Sequence, residues 1–391
     1  MHQPAPTVTR HDFIETTARD GRVLVVVFLR GGADGLTLVP PVADPMYRTA
    51  RPTLAVRAKD AIDLNGYFAV HRDLDALMPY IERQELAIVH GAGSDDTTRS
   101  HFEAQDTMEH GGVQTGSGWL GRFLRAQGPV ASALSAVAIG TTRPESLRGA
   151  PAGAVMQTVR EFSVGGDDDA VMEQLARLYA AFGGPVGAAG RDTIDAVRRL
   201  RALRAEGGAA ESSTPYPPGT FGRGLREIAK LIKADVGLTT TTIDLDGWDT
   251  HFVQGRVIGG LMEQLGAGID AFMTDLGSRR DGVTVVVLTE FGRRLRENSS
   301  FGTDHGAGSV MMVLGAAAPV VAAGHGLVGG FEQLSESMLD DVGDIPARTD
   351  YRDVLASVLT HHAPAVDLRS VFPGRAAALS GGQFWRGEPG A

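Results

Sequence analysis

Four times in this 391-residue chain a short apolar run, rich in β-branched residues, stops at a turn that carries an acid or a histidine. Val23–Leu29 (VLVVVFL) ends in Arg30-Gly31-Gly32-Ala33-Asp34-Gly35-Leu36. Glu85–His90 (ELAIVH) ends in a loop of small and hydroxyl-bearing residues that reaches Phe102. Thr239–Ile243 leads into Asp244-Leu245-Asp246-Gly247-Trp248-Asp249-Thr250-His251. Thr284–Leu288 ends at Thr289-Glu290-Phe291-Gly292, and Gly302-Thr303-Asp304-His305-Gly306 follows. Continuous apolar runs of this length read as strands buried on both faces, the mark of a parallel sheet under helices. Helical patterns lie between them, at His71–Tyr80, Gly118–Leu124, 167–209, Gly224–Lys233 and Ile258–Leu276, while Leu38–Thr53 is Pro-rich and irregular. The repeated order predicts an α/β fold, a three-layer αβα sandwich around a mostly parallel central sheet. Gly308–Leu314 is expected to add a strand to it and Tyr351–His361 a closing helix.

At 43% hydrophobic content the chain can bury one large core, and one domain over residues 20–380 is expected. Pro151–Pro217, helical and charged and ending in the Pro/Ser-rich ESSTPYPPGT, reads as an inserted or cap region. The Gly-rich tail is expected to be mobile. There is no cysteine, so thiolate metal sites, disulfides and Cys nucleophiles are excluded. A formal net charge of −10 argues against a nucleic-acid partner. No apolar run is long enough to span a membrane, and the N-terminal stretch shows neither an apolar signal core nor twin arginines, so a cytoplasmic protein is expected. A Gly-rich turn after the first strand would suit a dinucleotide fold, but the G-x-G-x-x-G spacing is missing.

In open α/β sheets ligands bind outside the carboxyl ends of the strands. That places Asp34, the Thr97–His101 group, Asp249, His251, Glu290, Asp304 and His305 on one edge. Each alone has an ordinary role, since an acid can cap a helix and a histidine can sit satisfied in a core. Together they read as a site for one or two divalent ions. Oxygen and imidazole donors suit zinc, manganese, magnesium or iron, and extra carboxylates shift preference toward magnesium, manganese or calcium. Asp-x-His at 249–251 puts both side chains on one side of an extended segment, a spacing fit for chelation. Thr97, Thr98 and Ser100 stand where a helix begins, and its unpaired N–H groups suit an anionic ester. A hydroxyl there, beside metal ions, is the arrangement for displacement at phosphorus or sulfur.

The turn GGADGL, the segment TTRSHFEAQ, and the motifs GWDTH, TEFGR and GTDHG together resemble a sulfatase-like family of the alkaline phosphatase superfamily. The resemblance implies a three-layer αβα fold and up to two divalent ions. It implies metal ligands at Asp34, Asp249, His251, Glu290 and His305, with Asp304 beside them. A hydroxyl nucleophile is implied near Thr97–Ser100, flanked by Arg99 and His101. Two registers compete for that nucleophile: a count back from His101 gives Thr97, and the RSHF block favours Ser100. The sequence also departs from the superfamily, whose strand ends in Asp-His where this one has Glu290-Phe291. One imidazole is therefore missing, and the expectation is either that Asp304 replaces it or that only one ion binds. One ion is expected to be tight near Asp249, His251 and His305, and a second, if present, weaker and near Asp34, Glu290 and the nucleophile. The reaction expected is hydrolysis of a phosphate or sulfate monoester of a small molecule, with Arg30, Arg99 and Arg293 as candidate oxyanion partners. A transferase, mutase or lyase on a similar ester, or a metal-binding protein without turnover, is the alternative.

Overall fold

The computed structural model describes residues 21–112, 116–128, 133–161, 168–205, 212–318, 321, 326–340 and 342–375. The N-terminal stretch and the Gly-rich tail considered above lie outside the described residues. In chain order the strands are β1 (Val23–Arg30), β2 (Ala61–Asp63), β3 (Ala69–His71), β4 (Leu86–Gly93), β5 (Ala136–Ile139), β6 (Ala154–Met156), β7 (Thr240–Asp246), β8 (Val283–Leu288), β9 (Arg293–Glu297), β10 (Thr303–His305), β11 (Ser309–Gly315), β12 (Leu327–Gly329) and β13 (Thr349–Asp350). Nine of them form one mixed, mostly parallel sheet in the order β12-β4-β11-β8-β1-β7-β5-β6, with β13 also on β4.

The run VLVVVFL lies at the heart of this sheet, between β7 and β8, and all seven residues are buried. Side chains alternate faces along a strand. Val25, Val27 and Leu29 accordingly enter one core, and Leu24, Val26 and Phe28 enter the other. Strands β4, β8 and β11 divide their residues in the same way. The first core is closed by helices Thr220–Lys233 and Ile258–Leu276, the second by Trp119–Ala126 and Tyr351–His362. Burial of each such Val, Leu or Phe contributes about 1.5–3 kcal/mol, which is why an uninterrupted apolar strand is the most strongly determined element.

One sequence expectation is refined and one needs correction. Gly308–Leu314 adds a strand to the mostly parallel sheet as expected, and that strand, β11, runs antiparallel to both β8 and β4. The cause is the connection. A parallel neighbour needs a crossover helix, but between β8 and β11 the chain folds only the β9–β10 hairpin. β11 thus begins where β8 ends and must run back. The Pro-rich stretch 38–53 also contains a helix, Pro45–Ala50, with proline in its first turn and Asp44 Oδ1 accepting from Met46 N at 2.7 Å. Within 151–217, helices Asp169–Ala181 and Gly184–Ala205 pack together around Met172, Ile194 and Val197, and Leu200 reaches the first core. Among the described residues no helix is long and apolar enough to cross a membrane.

Candidate metal centre

Three loops meet at the carboxyl end of β1, β7 and β8, and their backbones touch. A methyl on Gly31 would lie 2.4 Å from Asp249 N, and Gly31 has φ +117°, which disfavours any L side chain. A methyl on Gly302 would lie 2.2 Å from the His251 carbonyl. These glycines bring GGADG and GTDHG against GWDTH. Arg293, 1% exposed, binds the three together. Its guanidinium donates to the carbonyls of Gly31, Gly32 (2.7 Å), Trp248 (3.2 Å) and Thr303 (2.9 Å), and to Asp249 Oδ1 (2.7 Å). The arginine considered as an oxyanion partner is the internal brace of the site.

Against this frame three imidazoles converge. His101 Nε2, His251 Nε2 and His305 Nε2 lie 3.2, 3.0 and 3.3 Å from the same atom, Asp249 Oδ1. The Nδ1 atom of every ring is already committed. His101 Nδ1 donates to Glu290 Oε1 at 2.8 Å, His251 Nδ1 to Asp304 Oδ1 at 3.1 Å, and His305 Nδ1 to the Arg99 carbonyl at 2.6 Å. A neutral imidazole that donates from Nδ1 offers a bare lone pair at Nε2. Outer partners on Nδ1 are the usual support of a ligating histidine. The Nε2 atoms of His251 and His305 are only 2.8 Å apart, a contact that either a shared proton or a cation beside the two nitrogens satisfies. His101 Nε2 is buried and makes no hydrogen bond of good geometry, its near neighbour being Asp249 Oδ1 at 3.2 Å. A buried nitrogen so placed beside a carboxylate fits a metal ligand. Among the described residues, His101, Asp249 and His305 form the group that can hold an ion, with donor atoms all within 4.8 Å of one another.

The electrostatics agree with this geometry. Burial alone would raise Asp249, but the hydrogen bond and charge of Arg293 hold its carboxyl well below the usual range, so it is ionised. The hydrogen bond to Glu290, with the charges of Glu290 and Asp249, raises His101, so negative charge surrounds the ring and favours a cation there. Burial, followed by the charge of Arg293, pushes His305 down, so a proton is a poor occupant of that position. The phenyl ring of Phe291 lies against His101 and His305, with ring centroids 4.8 and 4.7 Å apart, and walls the rings in place.

The residues expected at the site are thus placed as follows. Asp249 and His305 belong to the group, and His101 supplies an imidazole where Phe291 stands in place of one. His251 touches the group. Glu290 does not face it with a free oxygen: Oε1 accepts from Gly31 N, Gln105 Nε2 and His101, and Oε2 lies 3.0 Å from the Thr289 hydroxyl. Asp304 stands behind His251, held by Asn298 Nδ2 at 3.0 Å. Asp34 is elsewhere, fully buried and paired with Arg51 through contacts of 2.5 and 3.0 Å. Gln254 and Thr37 fill the rest of its carboxylate.

Ser100 is the N-cap of helix His101–Glu109, yet its side chain makes no capping bond. Thr97 lines a cavity of about 230 Å³ together with Arg99, Glu290, Phe291 and Gly306. The guanidinium of Arg99 is bound by Asp344 and Asp340, and that of Arg30 by Asp244 and Glu109, so both charges are already paired. Sequence reasoning passed over Arg51 and Gln105. Gln105 lies four residues after His101, on the same helix face, and that spacing was a readable signal.

Residues 86–367 match a family described as "Protein of unknown function (DUF1501)". No curated protein matches the chain. The match spans well over half of the sequence, and the chain belongs to that family.

Proposed function

For this member of the DUF1501 family, we propose a metal-dependent hydrolase of phosphate or sulfate monoesters of a small molecule. The observation that carries the reading is the convergence of three Nε2 atoms on Asp249 Oδ1, at the sheet edge where α/β enzymes bind ligands. His101, Asp249 and His305 would hold one divalent ion, and two imidazoles with one carboxylate favour zinc or manganese over calcium. When bound, such an ion supplies Lewis-acid stabilisation of negative charge and lowers the pKa of a nearby hydroxyl. The likeness of the five motifs to the sulfatase-like family supports the same chemistry.

The chain's own groups divide the remaining work. Helix His101–Glu109 opens without a side-chain cap, so its first N–H groups face outward to receive non-bridging ester oxygens. The Ser100 hydroxyl, next to a ligand and uncommitted as a cap, is the nucleophile of this reading, with Thr97 as the rival. Its oxygen bonds to phosphorus or sulfur, the ester oxygen leaves as the alcohol with a proton, and water then frees the inorganic anion and restores the hydroxyl. Glu290 keeps the His101 ring oriented. A panel of phosphate and sulfate monoesters, assayed with added zinc, manganese or magnesium, tests the reading. Turnover should require metal and fall by several orders of magnitude in Ser100→Ala. Full activity in Ser100→Ala with loss in Thr97→Ala would move the nucleophile to Thr97. No metal-dependent turnover of any ester would overturn the hydrolase.

A further inference from the structure

A second cavity, of about 480 Å³, opens on the same sheet edge as the metal centre, at the carboxyl ends of β5, β6 and β7. Its volume lies within the roughly 300–1,000 Å³ of small-molecule sites. None of His101, Asp249 and His305 lines it. Helix Thr220–Lys233 forms one wall. As the crossover that leads into the parallel strand β7, it starts at this edge. Packing fixes it over β5 and β7: a methyl on Gly224 would lie 2.9 Å from Ile139 Cγ2 and 2.5 Å from Ile243 Cδ1. The loop after β6 is tied to the same helix, Val159 N donating to Glu227 Oε2 at 2.8 Å.

The charged groups of this cavity are held apart rather than paired. The helix N-cap is Gly219, which has no side chain to cap with, so the first N–H groups are left open. Thr220 and Arg223 line the cavity beside them. Among the described residues the Arg223 guanidinium makes no ion pair or hydrogen bond, and neither do the carboxylates of Asp246 on β7 and Glu161 on the loop. Arg30, on the β7 side, meets Asp244 and Glu109 and leaves Asp246 unmatched. Thr242, 6% exposed, also lines the cavity, and its hydroxyl has no hydrogen-bond partner among the described residues. A buried hydroxyl left in that state calls for a ligand or a water to satisfy it.

We propose that this cavity binds a small zwitterion, a free amino acid or short peptide, with its carboxylate at the start of helix Thr220–Lys233 beside Arg223 and its ammonium group at Asp246. A ligand of one sign would satisfy one wall and be repelled by the other, whereas a zwitterion matches both. A helix N-terminus favours an anion, and a guanidinium binds a carboxylate through charge-assisted hydrogen bonds. The site does not depend on the ester reading, and each can fail without the other.

Calorimetric titration of the full chain with alanine and alanylalanine, with and without zinc, tests it. N-acetyl-alanylalanine, which lacks the ammonium charge, and alanylalaninamide, which lacks the carboxylate, are the controls. The dipeptide should bind about tenfold more tightly than either control, the order of a lost charge-assisted hydrogen bond. Arg223→Gln should bring the dipeptide down to the affinity of the amide and leave the amide unchanged. Asp246→Asn should do the same against the acetylated control. Both residues are exposed, so both variants should fold as the wild type does. No saturable binding of alanine or alanylalanine at millimolar concentration overturns the proposal, and so does equal binding of the dipeptide and its controls. Tighter binding of inorganic phosphate than of the dipeptide would make this an anion site and overturn it. Affinity untouched by both substitutions, or binding seen only with zinc, would place the dipeptide elsewhere, the latter on the metal centre, and overturn it as well.

Discussion

Asp34→Asn should destabilise the protein and leave its metal content intact. The Asp34 carboxylate is fully buried and receives Arg51 at 2.5 and 3.0 Å, Gln254 Nε2 at 2.6 Å and the Thr37 hydroxyl at 2.7 Å. Burial alone would raise its pKa, yet Arg51 holds it low. Arg51 is itself 0% exposed, and its other donors are spent on the carbonyls of Leu295 and Arg294. Asparagine keeps the shape but withdraws the charge, and a guanidinium is left in the interior without its counter-ion. Removing one partner of a buried pair costs about 3–5 kcal/mol. With an unfolding entropy of about 2.1 cal/mol/K per residue, a chain of 391 residues has about 0.8 kcal/mol/K, so the melting temperature should fall by about 4–6 °C. Adding Arg51→Met should recover part of the loss, because a buried pair replaced on both sides is often near neutral. Scanning calorimetry and elemental analysis of the same samples check both halves. A variant that melts with the wild type but has lost metal would return Asp34 to the ligands and refute this reasoning.

Two further predictions follow from single contacts. His90 is buried among Phe68 and Phe331, its Nε2 donates to the Val39 carbonyl, and burial lowers its pKa to about 4 from a usual value of 6.5. The folded state therefore resists protonation: the neutral form's stability is full above pH 6.5 and is lost as pH falls toward 4. At 1.36 kcal/mol per pKa unit the loss totals about 3 kcal/mol. His90→Phe should shed that portion of the acid sensitivity, and a melting temperature that still falls as steeply between pH 6.5 and 4 would assign it to other groups. Glu290→Gln should weaken metal binding about tenfold without unfolding the site, as loss of an outer partner of a ligating histidine does. The amide oxygen can keep the three bonds at Oε1, and the amide nitrogen can donate to Thr289 Oγ1, whose proton turns to Leu29 O at 2.8 Å. Unchanged affinity in a metal titration would mean that the charge behind His101 does not matter.

The layers of the fold were legible because β1, β4, β7 and β8 are buried by periodicity alone. The direction of β11 was not, since it depends on what fills the β8–β11 connection, and Arg293–Glu297 reads as a charged surface run. At the site, Asp249 and His305 were legible from GWDTH and GTDHG. Asp34 misled because a carboxylate after a strand looks alike whether it meets a metal or a buried arginine. Its partner, Arg51, lies 17 residues on, at the end of a helix hidden in a Pro-rich stretch. His101 was read beside a nucleophile, and the structure places it in the group that can hold an ion. Only the packed structure shows its Nδ1 turned to Glu290 and its Nε2 turned to Asp249.

The central claim is that His101, Asp249 and His305 close around one ion, and metal content tests it most directly. Protein stripped with chelator, reloaded with zinc or manganese and freed of excess should retain close to one ion per chain by elemental analysis. Asp249→Ala and His305→Ala should lose it while their circular dichroism stays that of the wild type. Full stoichiometry in both variants, or a wild type that retains no ion of either metal, would contradict the account.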